Sequence, residues 1–318
     1  MNERNILVVA HAGREATVEA ARKVIDELRG AGARPVLPPD ESGDLRAVDP
    51  HFADVDILGE TVQQDELELA IVLGGDGTIL RAAELVRGCS APVLGINMGH
   101  VGFLAEIDRD DMDAAVRRVI DRDYEVEERL ALSVRVKDVD GAVVYETFAL
   151  NEATVEKASR ERMIEVVLEI DGLPLSSFGC DGMVVSTPTG STAYNFSAGG
   201  PVIWPSVEAI AVVPLSAHAL FAKPLVVSPD AAVAIEMLEG TSGAGILWCD
   251  GRRSHDLPPG ARVVVRKSSR PVRLARLHPT EFTNRLVRKF QLPVAGREDL
   301  RTTCLLYTSD AADDTPCV

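Results

Sequence analysis

A glycine-rich segment is the part of this 318-residue sequence where residue types and spacing point most directly to chemistry. It consists of Gly74, Gly75, Asp76, Gly77 and Thr78, between an apolar run over 69–73 and a helical pattern over 79–86. Glycines let a backbone turn tightly and approach a ligand with no Cβ in between. The start of the following helix offers unpaired N–H groups and the positive end of the helix dipole, which suit a phosphate.

Asp76 is the unexpected member of this segment, because a carboxylate and a phosphate repel each other. Such a placement is expected only where the carboxylate has a chemical task. It could accept a proton from an attacking hydroxyl group, or it could help to hold a metal ion. The alternative is an Asp-Gly turn in which Asp76 or Thr78 caps the helix. The five residues alone leave both interpretations open.

Two well-known phosphate-binding loops are absent from the sequence. No GxxxxGK[ST] pattern occurs, which excludes a P-loop NTPase. No GxGxxG pattern opens a helix with an acidic residue some twenty positions later, which excludes the ordinary dinucleotide-binding fingerprint. The glycine-rich segment therefore needs another explanation.

A second glycine-containing loop follows the next predicted strand, over 95–104. It includes His100 and Phe103, which could meet a ring of a ligand, although Phe103 alone is more typical of a core residue. Further along, the pair Asn151 and Glu152 stands at the end of a strand candidate. An amide and a carboxylate together could bind a ribose diol, or they could close a turn.

The densest polar segment runs from Asp181 to Ser197 and has the sequence DGMVVSTPTGSTAYNFS. A short apolar strand leads into turns of Ser, Thr, Gly and Pro, which present several hydroxyls and free amides. Such a segment could bind a polyhydroxylated ligand. On composition alone it could equally be a turn-rich hairpin with capping hydroxyls.

The elements that must position these residues differ between the two halves of the chain. Strand patterns over 5–10, 69–73 and 92–96 alternate with helical patterns over 15–29, 79–86 and 110–120. This alternation predicts an α/β N-terminal domain over 1–129 with an open, mostly parallel sheet. Ligands of such sheets bind beyond the carboxyl ends of the strands, where the glycine-rich segment lies.

The second half, over 130–279, contains short β-rich segments separated by Gly, Pro and Asp-Gly turns. They lie at 132–139, 142–148, 163–170, 231–237, 245–249, 262–265 and 272–277. The pattern predicts an all-β domain, either a sandwich or a closed sheet. A helical pattern over 280–297 could return to the first domain, and we expect residues 301–318, which match neither domain, to be a non-native tail.

Composition narrows the class of protein. The net charge of −16 argues against a nucleic-acid-binding surface, but not against one local anion site. No stretch reaches the roughly 20 apolar residues that span a bilayer, so we expect no membrane segment. The five cysteines are widely spaced and lack a CxxC pattern, which predicts neither a disulfide framework nor a zinc site. We therefore expect a cytoplasmic protein.

Taken together and in order, these motifs resemble those of the NAD kinases. The resemblance covers most of residues 5–295, from GGDGT through GHVGFL, Asn-Glu and DGMVVSTPTGSTAYNFSAGGP to Asp250-Gly251 and the final RLVRKF. GGDGT alone is shared with lipid kinases, whereas the long Ser/Thr/Gly segment is far more specific. The resemblance implies an N-terminal α/β domain, a C-terminal β-sandwich, and transfer of a phosphoryl group from ATP or inorganic polyphosphate to the adenosine-ribose 2′-hydroxyl of NAD, giving NADP.

The resemblance also implies site residues. It makes Asp76 the general base, with Gly77 beside it at the NAD site and Arg81 where a cation can meet phosphate. Asn151, Glu152 and Asp181 match polar NAD contacts, and Phe103 matches a ring contact. Gly179 stands where many relatives have a basic residue, so the cation at the pyrophosphate is not identified. The remaining binding residues implied are Gly74, Gly75, Thr78, Arg162, Thr189, Thr192, Ala193, Tyr194, Ser197 and Arg252.

The same resemblance implies a divalent cation, either Mg²⁺ or Mn²⁺. The donor phosphates would bind most of it, so no metal-ligand residue is assigned. It implies a homodimer or homotetramer. Two alternatives remain at this point: a GGDGT-type lipid kinase, and a non-catalytic nucleotide-binding sensor. The first would need an apolar channel, and the second would have no use for Asp76.

Overall fold

The computed structural model describes residues 4–99, 102–159, 162–219, 222–241, 243–278 and 282–294. In the first part of the chain, strands and helices alternate as the apolar spacing predicts. The strands are β1 (Asn5–Ala10), β2 (Arg34–Leu37), β3 (Asp56–Ile57), β4 (Leu67–Leu73), β5 (Val93–Asn97), β6 (Ile107–Asp108) and β7 (Glu125–Arg129), and the helices are α1 (Glu15–Gly30), α2 (Pro39–Val48), α3 (Asp76–Leu85) and α4 (Met112–Ile120).

The second part of the described chain is rich in strands. They are β8 (Leu132–Lys137), β9 (Val143–Ala149), β10 (Glu152–Lys157), β11 (Ile164–Ile170), β12 (Leu173–Cys180), β13 (Gly182–Ser186), β14 (Ile210–Leu215), β15 (Leu225–Val227), β16 (Val233–Met237), β17 (Gly245–Cys249), β18 (Arg253–Leu257), β19 (Arg262–Lys267) and β20 (Val272–Arg276). Two helices complete it, α5 (Tyr194–Ser197) and α6 (Phe282–Phe290).

The strands of the first part form one sheet of order β3-β2-β1-β4-β5-β20-β7, with β6 paired to β5. Its inner pairs are parallel, and only the β20–β7 pair, among the described strands, is antiparallel. Strand β20 is a difference from the sequence analysis, which grouped 272–277 with the β-rich half. A local β pattern predicts a strand but not the sheet that it joins, because pairing depends on contacts distant in sequence.

The strands from β8 to β19 form two antiparallel sheets, of order β15-β14-β13-β10-β17-β18 and β12-β11-β16-β19-β8-β9. Alternate residues of both sheets fill a common apolar core, in which Val134, Val166, Val185 and Leu247 are fully buried. This arrangement is a β-sandwich. The predicted fold class, an α/β domain with a mostly parallel sheet and an all-β sandwich, is confirmed. The proposed boundaries at 129/130 and 279/280 stay predictions.

The two parts of the fold share a hydrophobic cluster. Ile79 and Leu80 of α3 are buried in the same cluster as Phe148 and Leu150, at the end of β9. This packing connects α3, which begins within the glycine-rich segment, to the part of the fold that contains β9. Within the described residues, no helix is both long enough and apolar enough to span a membrane.

Candidate active site

The glycine-rich segment forms the junction between β4 and α3. Helix α3 begins at Asp76 itself, three residues earlier than the predicted helical pattern, with Gly75 as its N-cap. A Cβ at Gly74 would overlap the Thr78 side chain, so this position needs glycine. Gly75 and Gly77 are exposed, with no atom within 4 Å of the position of a Cβ. Their open backbone lies at a helix N-terminus, where N–H groups and the helix dipole favour a phosphate.

The carboxylate of Asp76 is held by the loop that follows β5. Its Oδ2 accepts a hydrogen bond from the Phe103 N–H and its Oδ1 accepts one from the Leu104 N–H, each at 3.0 Å. Gly102 lies so close that a Cβ there would overlap the carboxylate. The two amides set the orientation of the carboxylate, and each oxygen keeps a lone pair that can accept a further hydrogen bond.

Two of the predicted basic residues, Arg81 and Arg252, meet at one carboxylate of α3. Glu84 forms ion pairs with Arg81 at 3.4 Å, with Arg252 at 3.3 Å and with Arg253 at 3.0 Å. Arg81 also pairs with Asp40 of α2. Arg253 was not predicted, although it follows Arg252 directly in the sequence. The cluster ties α3 to the turn between β17 and β18.

Asn151 and Glu152 lie at the start of β10, against the turn that contains Asp250. The Asp250 carboxylate accepts hydrogen bonds from the N–H of Leu150 at 3.0 Å and of Asn151 at 2.7 Å, and pairs with Arg253 at 2.7 Å. Burial raises the pKa of Asp250, against the opposing effects of these partners. The turn thereby fixes the backbone of the predicted Asn-Glu pair.

The carboxyl group of Glu152 is buried near that of Asp250. Burial, and then the nearby charge of Asp250, raise its pKa to about 8, while a hydrogen bond from the Tyr194 backbone acts in the opposite direction. Its Oε2 has no hydrogen-bond partner among the described residues. At neutral pH the group is therefore largely protonated, and it can donate a hydrogen bond as well as accept one.

The Ser/Thr/Gly segment folds against Asn151. Thr187 follows β13 and donates from its N–H to the Asn151 carbonyl at 2.9 Å and from its Oγ1 to the Leu150 carbonyl at 2.6 Å. A Cβ at Gly190 would overlap the Asn151 carbonyl oxygen. The segment is thus a tightly packed turn, and it brings α5, with exposed Tyr194, beside Glu152.

A cavity of about 390 Å³ adjoins this segment and the loop that holds Asp76. Predicted residues Phe103, Thr189 and Thr192 line it. Its wall also contains arginines that were not singled out from the sequence, although Arg285 lies in the quoted RLVRKF motif. They are Arg129, Arg276 and Arg285.

Helix α6 forms one wall of this cavity through Phe282 and Arg285. Phe103 packs against Phe282 and Phe290, with ring centroids 5.9 and 5.8 Å apart. Phe196 of α5 contacts Phe290 at 4.4 Å, and Trp204 contacts Phe282 at 4.9 Å. The helix therefore contacts residues of both halves of the chain at the site.

Asp181 belongs to a separate polar group at the end of the sandwich. It forms an ion pair with Lys157 at 2.6 Å, and this partner lowers the pKa of the carboxyl group. Lys157 was not predicted, and its partner Asp181 stands two residues after Gly179 in the sequence. Arg162 is exposed next to Met163, whose methyl group would contact a Cβ at Gly179.

The other predicted residues are placed as follows. Ala193 precedes α5, and Ser197 ends it on its exposed side. Within the described residues, no group of three or more His, Cys, Asp or Glu side chains is arranged to hold a metal ion. His100 and the predicted tail over 301–318 lie outside the described residues.

Comparison with known proteins identifies the family. The model of the ATP-NAD kinase N-terminal domain matches residues 6–124, and that of the ATP-NAD kinase C-terminal domain matches residues 150–277. An NAD kinase of Leifsonia xyli is 66% identical over 294 residues, which cover 92% of this chain and 96% of the relative. The chain belongs to the NAD kinase family. NAD kinase 2 of Streptomyces coelicolor is also similar, at 56% identity over 92% of this chain and 96% of the relative.

Solved structures of the family share the fold. Yeast NADH kinase in complex with NADH has a TM-score of 0.81 at 24% identity, covering 94% of this chain and 90% of that one. An NAD kinase of Archaeoglobus fulgidus in complex with ATP has a TM-score of 0.67 at 24% identity, covering 91% and 100%. The predicted identity as an NAD kinase family phosphotransferase is confirmed, and neither the lipid-kinase nor the sensor alternative is favoured.

Proposed function

We propose that this protein phosphorylates the adenosine-ribose 2′-hydroxyl of NAD, with Asp76 as the general base. The observation that supports this role is the position of Asp76, at the start of α3 within an exposed glycine loop and with its carboxylate oriented by two amides. ATP is the donor, and inorganic polyphosphate is an alternative donor of the same chemistry. The open N–H groups of the loop suit the phosphates of either one.

The protein itself contributes little covalent chemistry to this reaction. Asp76 accepts the proton of the 2′-hydroxyl while that oxygen forms a bond to the terminal phosphorus, and the bond from phosphorus to the bridging oxygen breaks. ADP, or a polyphosphate one unit shorter, leaves with the electron pair. The main task of the fold is therefore to align hydroxyl and phosphorus and to balance charge.

The neighbouring residues fit the acceptor. Glu152, neutral below its pKa of about 8, can donate to a hydroxyl or carbonyl oxygen of NAD without adding negative charge near the pyrophosphate. Asn151, Asp181 and the residues from Thr189 to Ser197 supply the other polar contacts, and Phe103 supplies a ring face. We assign the pyrophosphate to Lys157, since it is the cation paired with Asp181.

A divalent cation, Mg²⁺ or Mn²⁺, neutralises charge on the transferred phosphoryl group when it is bound. The glycine loop contains one carboxylate, that of Asp76. The donor phosphates would therefore supply most of the ligands of the cation. Residues Gly75 and Gly77 leave the space beside this carboxylate free of side chains. No protein cage is needed for such a cation.

A homodimer or homotetramer in the cytoplasm is part of this proposal. Strand β12 is the edge of its sheet, and its Leu173 and Leu175 are 73% and 51% exposed. An exposed apolar edge strand favours pairing with a second copy of the chain. Sedimentation of the full chain, compared with that of Leu173→Lys, tests this part: the variant should sediment as a smaller species.

The activity itself is tested by product analysis. The full chain is mixed with Mg²⁺ and NAD and with either ATP or polyphosphate, and NADP is measured by a coupled dehydrogenase. Diacylglycerol with labelled ATP serves as the alternative acceptor. We expect NADP and no labelled lipid; labelled lipid without NADP, or no product from either donor, would overturn the proposal.

A further inference from the structure

Another cavity, of about 660 Å³, lies on the sandwich sheet that contains β8, β9 and β19. One carboxylate, that of Glu146, lines it together with six cationic side chains. We call it the basic cavity, and its cations are Arg87, Arg135, Lys137, Arg266, Lys267 and Arg270. Such a concentration is unexpected in a protein with a net charge of −16.

The pleat of the sheet places these cations on its outer face. Along β8, Leu132, Val134 and Val136 are buried in the sandwich core, so Arg135 and Lys137 point to the opposite side. Along β19, Val265 is buried in the core and Arg266 is exposed. Strands β8 and β9 lie between the two segments that the family models match.

Part of this positive charge is not neutralised by the protein. Arg135 pairs with Glu146 at 3.0 Å, and Lys267 pairs with Glu208 at 2.7 Å. Within the described part of the chain, the side chains of Lys137, Arg266 and Arg270 form no ion pair. A cavity wall with unpaired cations concentrates anions from solution.

The guanidinium of Arg87 is half-buried and is repelled by neighbouring cations. Its guanidinium donates to the Arg270 carbonyl and to Ser268 Oγ, both at 2.7 Å. Burial, and then the charges of Arg270 and Arg253, lower its pKa to about 10. A bound anion would relieve this repulsion.

We propose that the basic cavity binds a linear, multiply charged phosphate anion, the chemistry shared by inorganic polyphosphate and nucleoside polyphosphates. The guanidinium groups of Arg87 and Arg253 stack on the ring of Phe148, 4.3 and 4.1 Å from its centroid. This aromatic ring of the cavity therefore has no free face on which a nucleobase could stack. The lining therefore favours the phosphate chain without a base. It is a binding site distinct from the catalytic crevice.

The two sites lie at opposite ends of α3. Asp76 begins this helix and Arg87 follows its end, so about 15 Å of helix separates them. The proposal does not depend on the kinase reaction. Loss of binding at the basic cavity can therefore be distinguished from loss of catalysis.

Calorimetric titration of the full chain with inorganic tripolyphosphate, and separately with ATP, tests this proposal. Lys137→Gln/Arg266→Gln removes two unpaired cations, and Arg22→Gln/Arg117→Gln on α1 and α4 removes the same net charge elsewhere. We expect the cavity variant to bind tripolyphosphate at the basic cavity at least about tenfold more weakly than the control, while binding at the catalytic loop is the same in both. Because these side chains are partly or fully exposed, both variants should keep the kinase rate and the melting temperature.

The single variant Arg270→Gln gives a second, independent measurement, with an expected loss of several-fold. If ATP binding falls in parallel with that of tripolyphosphate, the ligand is a nucleoside polyphosphate; if only tripolyphosphate binding falls, it is inorganic polyphosphate. Equal binding of tripolyphosphate by the cavity variant and the control would overturn the proposal. Binding of an acidic peptide but not of tripolyphosphate would also overturn it.

Discussion

Arg285 and Asp76 hold the same residue, Phe103, from two directions. The Arg285 guanidinium donates to the Phe103 carbonyl oxygen at 2.6 Å, and the Phe103 N–H donates to the Asp76 carboxylate at 3.0 Å. Arg285 is itself fixed by an ion pair with buried Glu106 at 3.0 Å. Helix α6 therefore sets the orientation of the proposed general base, although the two residues lie far apart in sequence.

This relationship predicts that Arg285 acts as a positioning residue. In Arg285→Gln the loop over 102–104 loses one of its anchors, so kcat should fall by about tenfold while the KM for NAD changes little. Arg288→Gln on the same helix removes an exposed ion pair with Asp108 and should leave kcat unchanged. Steady-state kinetics of both variants, with Arg285→Lys as a partial rescue, measure the effect; an equal kcat in both would exclude the positioning role.

The raised pKa of Glu152 predicts a pH-dependent stability. The folded protein keeps this proton up to a pH of about 8, whereas the unfolded chain releases it near the ordinary glutamate pKa of 4.5. The stabilising contribution of the neutral group is therefore fully present below about pH 4.5, and it is lost as the pH rises through 8. Glu152→Gln mimics the neutral form, so it should be more stable than the wild type at pH 8 by about 1 kcal/mol or more.

Melting temperatures at pH 5 and pH 8 measure this difference. Glu165→Gln, an exposed carboxylate on β11, is the control and should shift the melting temperature equally at the two pH values. A Glu152→Gln effect that does not grow with pH would show that the carboxyl group is ionised in the folded protein.

The close contact between Gly190 and Asn151 predicts that no Cβ is tolerated there. In Gly190→Ala the new Cβ meets a backbone carbonyl, which must shift together with β10, at a cost of about 1–3 kcal/mol. The melting temperature should fall and the KM for NAD should rise. Gly240→Ala is the control, since no atom lies within 4 Å of its Cβ position. Equal melting temperatures for the two variants would contradict the packing described.

The pair formed by Lys157 and Asp181 predicts which cation meets the NAD pyrophosphate. Lys157→Gln should raise the KM for NAD by about tenfold, with a small change in kcat, because a charge-assisted contact is lost in ground and transition states alike. Lys23→Gln removes an exposed ion pair on α1 and should change neither constant. If the KM for NAD is unchanged in Lys157→Gln, the pyrophosphate is bound by another residue.

Much of the fold follows from local pattern. The apolar run at β1 and the helical spacing of Val18, Ala21 and Ile25 predict the elements that the structure contains over 5–10 and 15–30. The sheet of β20 does not follow, because a strand pattern carries no information about its partner. The sequence pattern places the start of α3 too late, since Gly77 lowers helix propensity although it lies in the first turn of the helix.

The candidate site was only partly predictable. The glycine loop, Asn151, Glu152 and the Ser/Thr/Gly segment have recognisable residue types, and the structure brings Glu152 and the segment together. Arg253, Lys157 and the arginines around the cavity have ordinary strand or helix surroundings in sequence. Their positions become informative only through partners that are far along the chain, such as Arg285 and Phe103.

The role of Asp76 is tested most directly by Asp76→Asn. The amide keeps one oxygen that can accept from Phe103 or Leu104, but it cannot accept a proton from the substrate hydroxyl. We expect an NAD dissociation constant within a few-fold of the wild type and a kcat lower by about 100-fold or more, well below that of Arg285→Gln. A kcat of Asp76→Asn no lower than that of Arg285→Gln would show that Asp76 only positions the loop, and would contradict its assignment as the base.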